Sequence, residues 1–196
     1  MIFFFLFITL IFVSNFPKNI VATNNIHHHK HHHNHHHKGH KASLLETACQ
    51  RARDKDACVS ALGSDPNARG SDLKGLVLIA LRLASSNASD VSEHLKVLLN
   101  NDTSLSPAQQ DGASECLEHY LDAAEQLEDS TAALLADAHN DVETWVGVAV
   151  TDADSCDSAL AGHAQAVMGD KGEAFRRLCD YALVINKLLA EQKNKN

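Results

Sequence analysis

Apolar residues recur at helical spacing along most of the chain beyond residue 43. The clearest repeat places small and apolar side chains on one face of a helix, with acidic side chains mostly opposite. Its apolar positions are Ala113, Cys116, Leu117, Tyr120, Ala124, Leu127, Thr131 and Leu134. Two later stretches, beginning at Val142 and at Phe175, keep the same period. The pattern predicts long amphipathic helices and gives almost no strand signal.

Capping residues divide this pattern into helices. Ser106 stands at an N-cap position, Pro107 follows at the first helical position, and Gln109 completes a capping box. Asn140 is predicted to cap the next helix. The predicted long helices cover residues 71–99 (with an interruption near residues 85–87), 107–136, 141–165 and 172–191, and a shorter helical piece covers residues 43–61. Because short connections make successive helices antiparallel, the predicted fold class is all-α, an up-and-down four-helix bundle.

Composition divides the chain into three parts. Residues 1–22 contain an eleven-residue run, residues 3–13, that is apolar except for Thr9 and too short to span a bilayer; small and apolar residues that suit signal-peptidase cleavage at Ala22 follow it. We expect this segment to be a signal peptide, with no membrane contact after its removal. Residues 23–41 form a histidine-rich tract, expected to be disordered, and residues 42–196 form one domain of ordinary globular composition.

If the protein is exported, an even number of its five cysteines should form disulfides, because an oxidising compartment favours them. Spacing alone leaves three pairings open for any four of them. In an antiparallel helix pair, facing residues lie symmetrically about the turn, and the midpoint of Cys116 and Cys156 is residue 136, close to a predicted turn. Cys49 and Cys58 are centred on a charged run and suit a small helical hairpin. Cys179 lies on an apolar helix face and is expected to be a buried free thiol.

The histidine-rich tract is the most unusual local feature. Ten of the fourteen residues from 27 to 40 are histidine. They are His27, His28, His29, His31, His32, His33, His35, His36, His37 and His40. Neutral imidazoles bind divalent metal ions, so the tract is a candidate metal site, and an inert spacer is the alternative. As pH falls through about 6.5 these residues gain charge, so in mildly acidic surroundings the tract is also a candidate basic arm on an acidic domain.

The rest of the sequence indicates binding rather than catalysis. It contains no glycine-rich phosphate loop, no G-x-S-x-G elbow and no H-E-x-x-H motif. The four histidines outside the tract are scattered, and no cofactor is implied. From Lys41 onward, 25 acidic residues stand against 14 basic ones, a net charge of −11. We expect no nucleic-acid partner.

Several motifs then resemble one known family. Cys49 and Cys58 precede the long helical region, and Glu115 to Tyr120 reads ECLEHY. The segment from Asp141 to Asp157 reads DVETWVGVAVTDADSCD, and the chain ends with LVINKLL at residues 183–189. Together these features resemble the plant invertase inhibitor and pectin methylesterase inhibitor family over residues 49–189.

The resemblance implies an enzyme inhibitor rather than an enzyme. It implies a four-helix bundle with an N-terminal helical hairpin, the bridges Cys49–Cys58 and Cys116–Cys156, and secretion to the apoplast and cell wall or to the vacuole. The implied action is a reversible one-to-one complex that covers the cleft of pectin methylesterase or, alternatively, of acid invertase. The fifth cysteine favours pectin methylesterase. A histidine-rich secreted metal-binding protein is the alternative from another class.

Two further sets of residues are expected to carry function. Thr151, Asp152 and Ser155 lie on the polar side of the family motif beside Cys156, and we expect them near the contact with the enzyme. Capping or solvation of a helix turn is the competing interpretation for these three residues. The sequons at Asn87 and Asn101 are candidate glycosylation sites and agree with a secretory route.

Overall fold

Seven α-helices make up most of the residues that the computed structural model describes, which are 43–101 and 105–195. They are α1 (Leu44–Ala48), α2 (Lys55–Gly63), α3 (Leu73–Asn101), α4 (Pro107–Leu135), α5 (His139–Ala159), α6 (Ala164–Met168) and α7 (Lys171–Lys193). Two short 3₁₀ turns, Cys49–Arg51 and Ala68–Gly70, lie between the early helices. Within these residues there is no strand, and the predicted all-α class is confirmed.

The four long helices form the predicted up-and-down bundle. Helices α4 and α7 each pack against both α3 and α5. At one end of the bundle, Asp137 in the turn between α4 and α5 accepts from two lysines. Its Oδ1 lies 2.9 Å from Nζ of Lys74, near the start of α3, and 2.6 Å from Nζ of Lys193, the last residue of α7. The beginning of α3 therefore meets the ends of α4 and α7, as antiparallel neighbours require.

The bundle interior combines small side chains with a few large ones. The rings of Tyr120 in α4 and Phe175 in α7 meet edge to face, with centroids 5.4 Å apart, and both side chains are fully buried. Gly112 brings α4 close to the end of α5, because a Cβ there would lie 2.6 Å from the carbonyl oxygen of Ala159. Replacing that glycine would push the two helices apart.

The N-terminal hairpin is made of α1 and α2. Ser43 caps α1 in a capping box with Glu46, and the Asp54 carboxylate caps α2 by accepting from the Ala57 amide at 2.9 Å. The predicted helical piece 43–61 is therefore two helices separated by a tight 3₁₀ turn. The bridge Cys49–Cys58, with Cα atoms 5.8 Å apart, closes the hairpin as predicted.

Helix α5 differs most from its predicted bounds. It begins at His139 and has no side-chain N-cap, so the prediction that Asn140 caps it is wrong. A tertiary contact anchors this end instead: the buried Asn186 donates to the His139 carbonyl at 3.0 Å and pairs with the His139 ring at 2.9 Å. The helix ends at Ala159 rather than at residue 165, because Ala161 and Gly162 adopt positive φ angles of 47° and 88°.

Helix α3 is continuous where an interruption was predicted near residues 85–87. The Ser89 hydroxyl donates to the Ser85 carbonyl at 3.0 Å, and the Ser92 hydroxyl donates to the Ala88 carbonyl at the same distance. Serines in a helix can bond to carbonyls of their own helix in this way, so the serines of this segment are compatible with a continuous helix. In the described ranges, no helix is both long and apolar enough to cross a bilayer.

Candidate partner-binding face

The bridge between Cys116 and Cys156 fixes the register of α4 against α5. It is fully buried, its Cα atoms are 4.3 Å apart, and it confirms the second predicted pairing. The two helices pack together along most of their length. The solvent side of their groove carries the predicted contact residues, and we call it the α4–α5 face. It comprises His119, Asp122, Thr144, Val148, Thr151, Asp152 and Ser155.

Apart from Asp152, the side chains that α5 contributes to this face are uncharged and mostly small. The hydroxyls of Thr144 and Thr151 turn back and donate to the carbonyls four residues earlier, each at 3.0 Å. A Cβ added at Gly147 would meet no atom within 4 Å, so the backbone is open there. Val148 is 37% exposed beside it. Another protein could approach the α5 backbone closely at this point.

Asp152 lies in the groove itself. Its side chain is only 17% exposed, and its Oδ1 is 3.8 Å from Nδ1 of His119 across the groove, beyond hydrogen-bond distance. Its Oδ2 is buried with no hydrogen-bond partner among the described residues. Desolvation raises the pKa of Asp152 and the nearby Asp122 carboxylate raises it further, while His119 lowers it. The groove therefore holds an under-solvated carboxylate that binds a proton more readily than an exposed aspartate.

The structure brings the three predicted contact residues together on α5. Thr151 is exposed, whereas Asp152 and Ser155 are half-buried beside Cys156. Sequence reasoning missed His119, which it counted among scattered histidines. A signal was present, because His119 and Asp152 straddle nearly the same midpoint as the bridged cysteines. The same symmetry that predicted the bridge could have paired them.

The other predicted residues lie away from this face or outside the described chain. Cys179 is free and fully buried, and burial raises the pKa of its thiol to about 12. Asn101 is exposed at the last residue of α3, whereas Asn87 is half-buried within α3. Glycosylation of either remains a prediction. The signal peptide and the histidines from His27 to His40 lie outside the described residues, and within those residues no three or more His, Cys, Asp or Glu side chains are placed so that they could hold a metal ion.

Comparisons with known proteins agree with this architecture. Residues 43–185 match the family described as plant invertase/pectin methylesterase inhibitor. The chain is 28% identical to a pectinesterase inhibitor of Actinidia deliciosa, over 76% of this chain and 81% of that protein. It is 32% identical to a cell wall / vacuolar inhibitor of fructosidase of Arabidopsis thaliana, over 46% and 49% of the two chains.

A solved structure supports the fold independently. The crystal structure of a mutant form of a pectin methylesterase inhibitor from Arabidopsis superposes with a TM-score of 0.64 at 19% identity. The superposition covers 74% of this chain and 97% of that one. With the helical bundle and both predicted bridges in place, the matched segment of 43–185 spans nearly the whole folded domain. The chain belongs to the plant invertase/pectin methylesterase inhibitor family, whose members are enzyme inhibitors.

Proposed function

We propose that this protein inhibits pectin methylesterase by laying the α4–α5 face over the active-site cleft in a reversible one-to-one complex. The proposal rests on the rigidity of the α4–α5 face. A buried bridge locks its two helices, and Thr151, Asp152 and Ser155 meet beside an open stretch of α5 backbone. Similarity to the Actinidia pectinesterase inhibitor supports the choice of target. In this proposal the protein has no catalytic activity of its own.

Replacing Thr151, Asp152 and Ser155 together with alanine tests the contact. We expect inhibition to weaken by about tenfold or more, because interface centres lose at least ~1.4 kcal/mol when several contacts are removed. The matched control replaces Thr47, Asp56 and Ser60, one residue of each type, all exposed on the N-terminal hairpin. Inhibition constants for pectin methylesterase and melting temperatures are measured for both variants. A folded triple variant of α5 that inhibits as well as the wild type would remove these residues from the contact.

Acid invertase is the second candidate target. The matched family covers both kinds of inhibitor, and the similarity to the Arabidopsis inhibitor of fructosidase favours keeping it. Titrating the purified protein against one enzyme of each kind separates the two. Inhibition of invertase alone would overturn the proposed target and leave the inhibitory role intact.

We place the mature protein outside the cell, in the apoplast and cell wall, with the vacuole as the alternative. Two disulfides support an oxidising compartment, because thiols in the cytosol are kept reduced. The apolar segment of residues 1–22 and the sequons at Asn87 and Asn101 agree with export. Mass analysis of the secreted protein would establish the cleavage site and any glycan.

We propose that residues 27–40 anchor the inhibitor to pectin in acidic surroundings, with divalent metal capture and an inert spacer as the alternatives. Protonated imidazoles would bind the polyanion more strongly as pH falls, whereas metal binding needs neutral imidazoles and strengthens as pH rises. Retention on immobilised polygalacturonate is compared at about pH 5 and pH 7.5, around the ordinary histidine pKa, with and without residues 23–41. Equal retention of both chains at the lower pH would leave the tract without this role.

A further inference from the structure

Arg176 in α7 bonds to two carboxylates of α5 at the same time. Its Nε donates to Oδ1 of Asp154 at 2.8 Å, and its Nη2 donates to Oδ2 of Asp157 at 2.7 Å. No other lysine or arginine of the described residues lies within 4.0 Å of a carboxylate on α5. Two acceptors fix the orientation of a planar guanidinium, which a single ion pair does not. Arg176 therefore holds the last two turns of α5 against α7.

Buried neighbours limit the freedom of the Arg176 side chain, which is only 22% exposed. Gly172 lies one turn earlier in α7, and a Cβ added there would be 3.1 Å from Nη1 of Arg176 and 3.3 Å from the hydroxyl oxygen of Tyr120. Tyr120 belongs to α4 and is fully buried against Phe175. The guanidinium therefore lies beside a buried residue of α4 as well as against α5.

The last two turns of α5 are thus attached on two sides. At about 100° of rotation per residue, the two aspartates lie roughly 130° around the helix from Cys156, whose bridge joins α5 to α4. Thr151 and Ser155 lie on the remaining third of the circumference. One attachment resists a small rotation of α5 about its axis less than two attachments do. Such a rotation would shift Thr151 and Ser155, so the contact with Arg176 helps to fix where they point.

We propose that Arg176 is a positioning residue for inhibition, because it holds α5 so that Thr151, Asp152 and Ser155 keep the orientation that the target enzyme binds. This inference rests on the proposed function. Arg176 does not belong to the α4–α5 face, so it acts through α5 and not through contact with the enzyme. Binding residues must be held within about 0.5 Å of their productive positions. A small rotation of α5 therefore weakens the complex without unfolding the bundle.

The first test removes the paired hydrogen bonds and keeps the charge. Arg176→Lys retains a cation but lacks the planar fork that bonds two carboxylates. The matched control is Arg51→Lys, which changes the same side chain in another ion pair, with Glu191 at 2.7 Å, at the N-terminal hairpin. The dissociation constant for pectin methylesterase is measured for each variant well below its melting temperature. We expect Arg176→Lys to weaken binding about 3- to 10-fold and the control to weaken it less than about 2-fold.

A double-mutant cycle separates positioning from general stability. Arg176→Lys is combined with the alanine substitutions of Thr151, Asp152 and Ser155. Because the residues that Arg176 orients are then absent, the lysine substitution should weaken binding less than about 2-fold in that background. Equal weakening in both backgrounds would overturn the proposal. A folded Arg176→Lys variant that melts at a lower temperature but binds as well as the wild type would also overturn it, since its role would then be structural only.

A second variant changes the other side of the same contact and serves if Arg176→Lys does not fold. Asp154→Asn with Asp157→Asn removes both ion pairs from α5 and should reproduce the loss of binding and its dependence on the contact residues. Full affinity in this folded variant would overturn the role of Arg176, while inhibition by the wild type would keep the proposed function. A wild-type protein that does not inhibit pectin methylesterase would overturn both.

Discussion

At the scale of single residues, Asp137 ties three parts of the bundle together. It sits in the turn between α4 and α5 at a positive φ of 61° and accepts from Lys74 and Lys193. These two hydrogen bonds lower the pKa of Asp137 from 3.8 to about 2. A carboxylate whose pKa is lowered by folding stabilises the folded protein at every pH above the pKa that the group has in the unfolded chain. That contribution is lost as pH falls from about 4 towards 2.

We expect Asp137→Asn to lower the melting temperature by a few degrees at pH 6, because the substitution removes both ion pairs. Asparagine tolerates a positive φ as aspartate does, so the turn should persist. The deficit relative to the wild type should shrink as pH falls and vanish only below about pH 2, where the wild-type carboxylate also becomes neutral. Melting curves across this range check the prediction. Asp141→Asn, at an exposed position nearby, serves as control, and a deficit independent of pH would contradict the assignment.

At the scale of elements, the start of α4 was predicted correctly from a local signal. Ser106, Pro107 and Gln109 form the expected capping box, and α4 begins where it was predicted. The start of α5 was misplaced because Asn186, 47 residues away, anchors it through His139. The periodicity of apolar residues along the sequence does not reveal such a distant contact. The end of α5 was missed because a positive φ at Ala161 is uncommon for a residue with a side chain.

The packing of α4 on α5 was predictable for a different reason. In antiparallel helices joined by a short turn, residues at equal distances from the turn face each other, so the midpoint of Cys116 and Cys156 favoured the bridge that the structure contains. Closing a loop of about 40 residues in this way stabilises the fold by roughly 3–4 kcal/mol in the chain-entropy model. The hairpin bridge was easier still, since Cys49 and Cys58 are only nine residues apart.

At the scale of the whole molecule, the sequence predicted the composition of the candidate site but not its environment. Thr151, Asp152 and Ser155 could be chosen from the family motif. The burial of Asp152 Oδ2 and the position of His119 depend on how closely α4 and α5 pack against each other. That distance is set by small residues such as Gly112, which contacts the end of α5. Hydrophobic patterning does not give such distances.

Because Cys179 is a buried free thiol, unfolding by heat exposes a group that can rearrange the disulfides of this protein. In the fold it is shielded, and its raised pKa keeps it protonated. In the unfolded chain its pKa returns to about 9, so at mildly alkaline pH a fraction becomes thiolate and can attack either bridge. We expect wild-type unfolding to be irreversible at pH 8 and reversible at pH 5.

Repeated calorimetric scans check this, with Cys179→Ala as the comparison. That variant should refold fully at both pH values, because no free thiol remains to exchange. Irreversibility of the variant at pH 8, or complete recovery of the wild type there, would rule out thiol exchange as the cause. If exchange occurs, a sample once melted in alkali contains a mixture of disulfide isomers. Its resistance to unfolding then depends on how it was heated before and on the rates of unfolding and exchange. A single equilibrium free energy of unfolding does not describe such a sample.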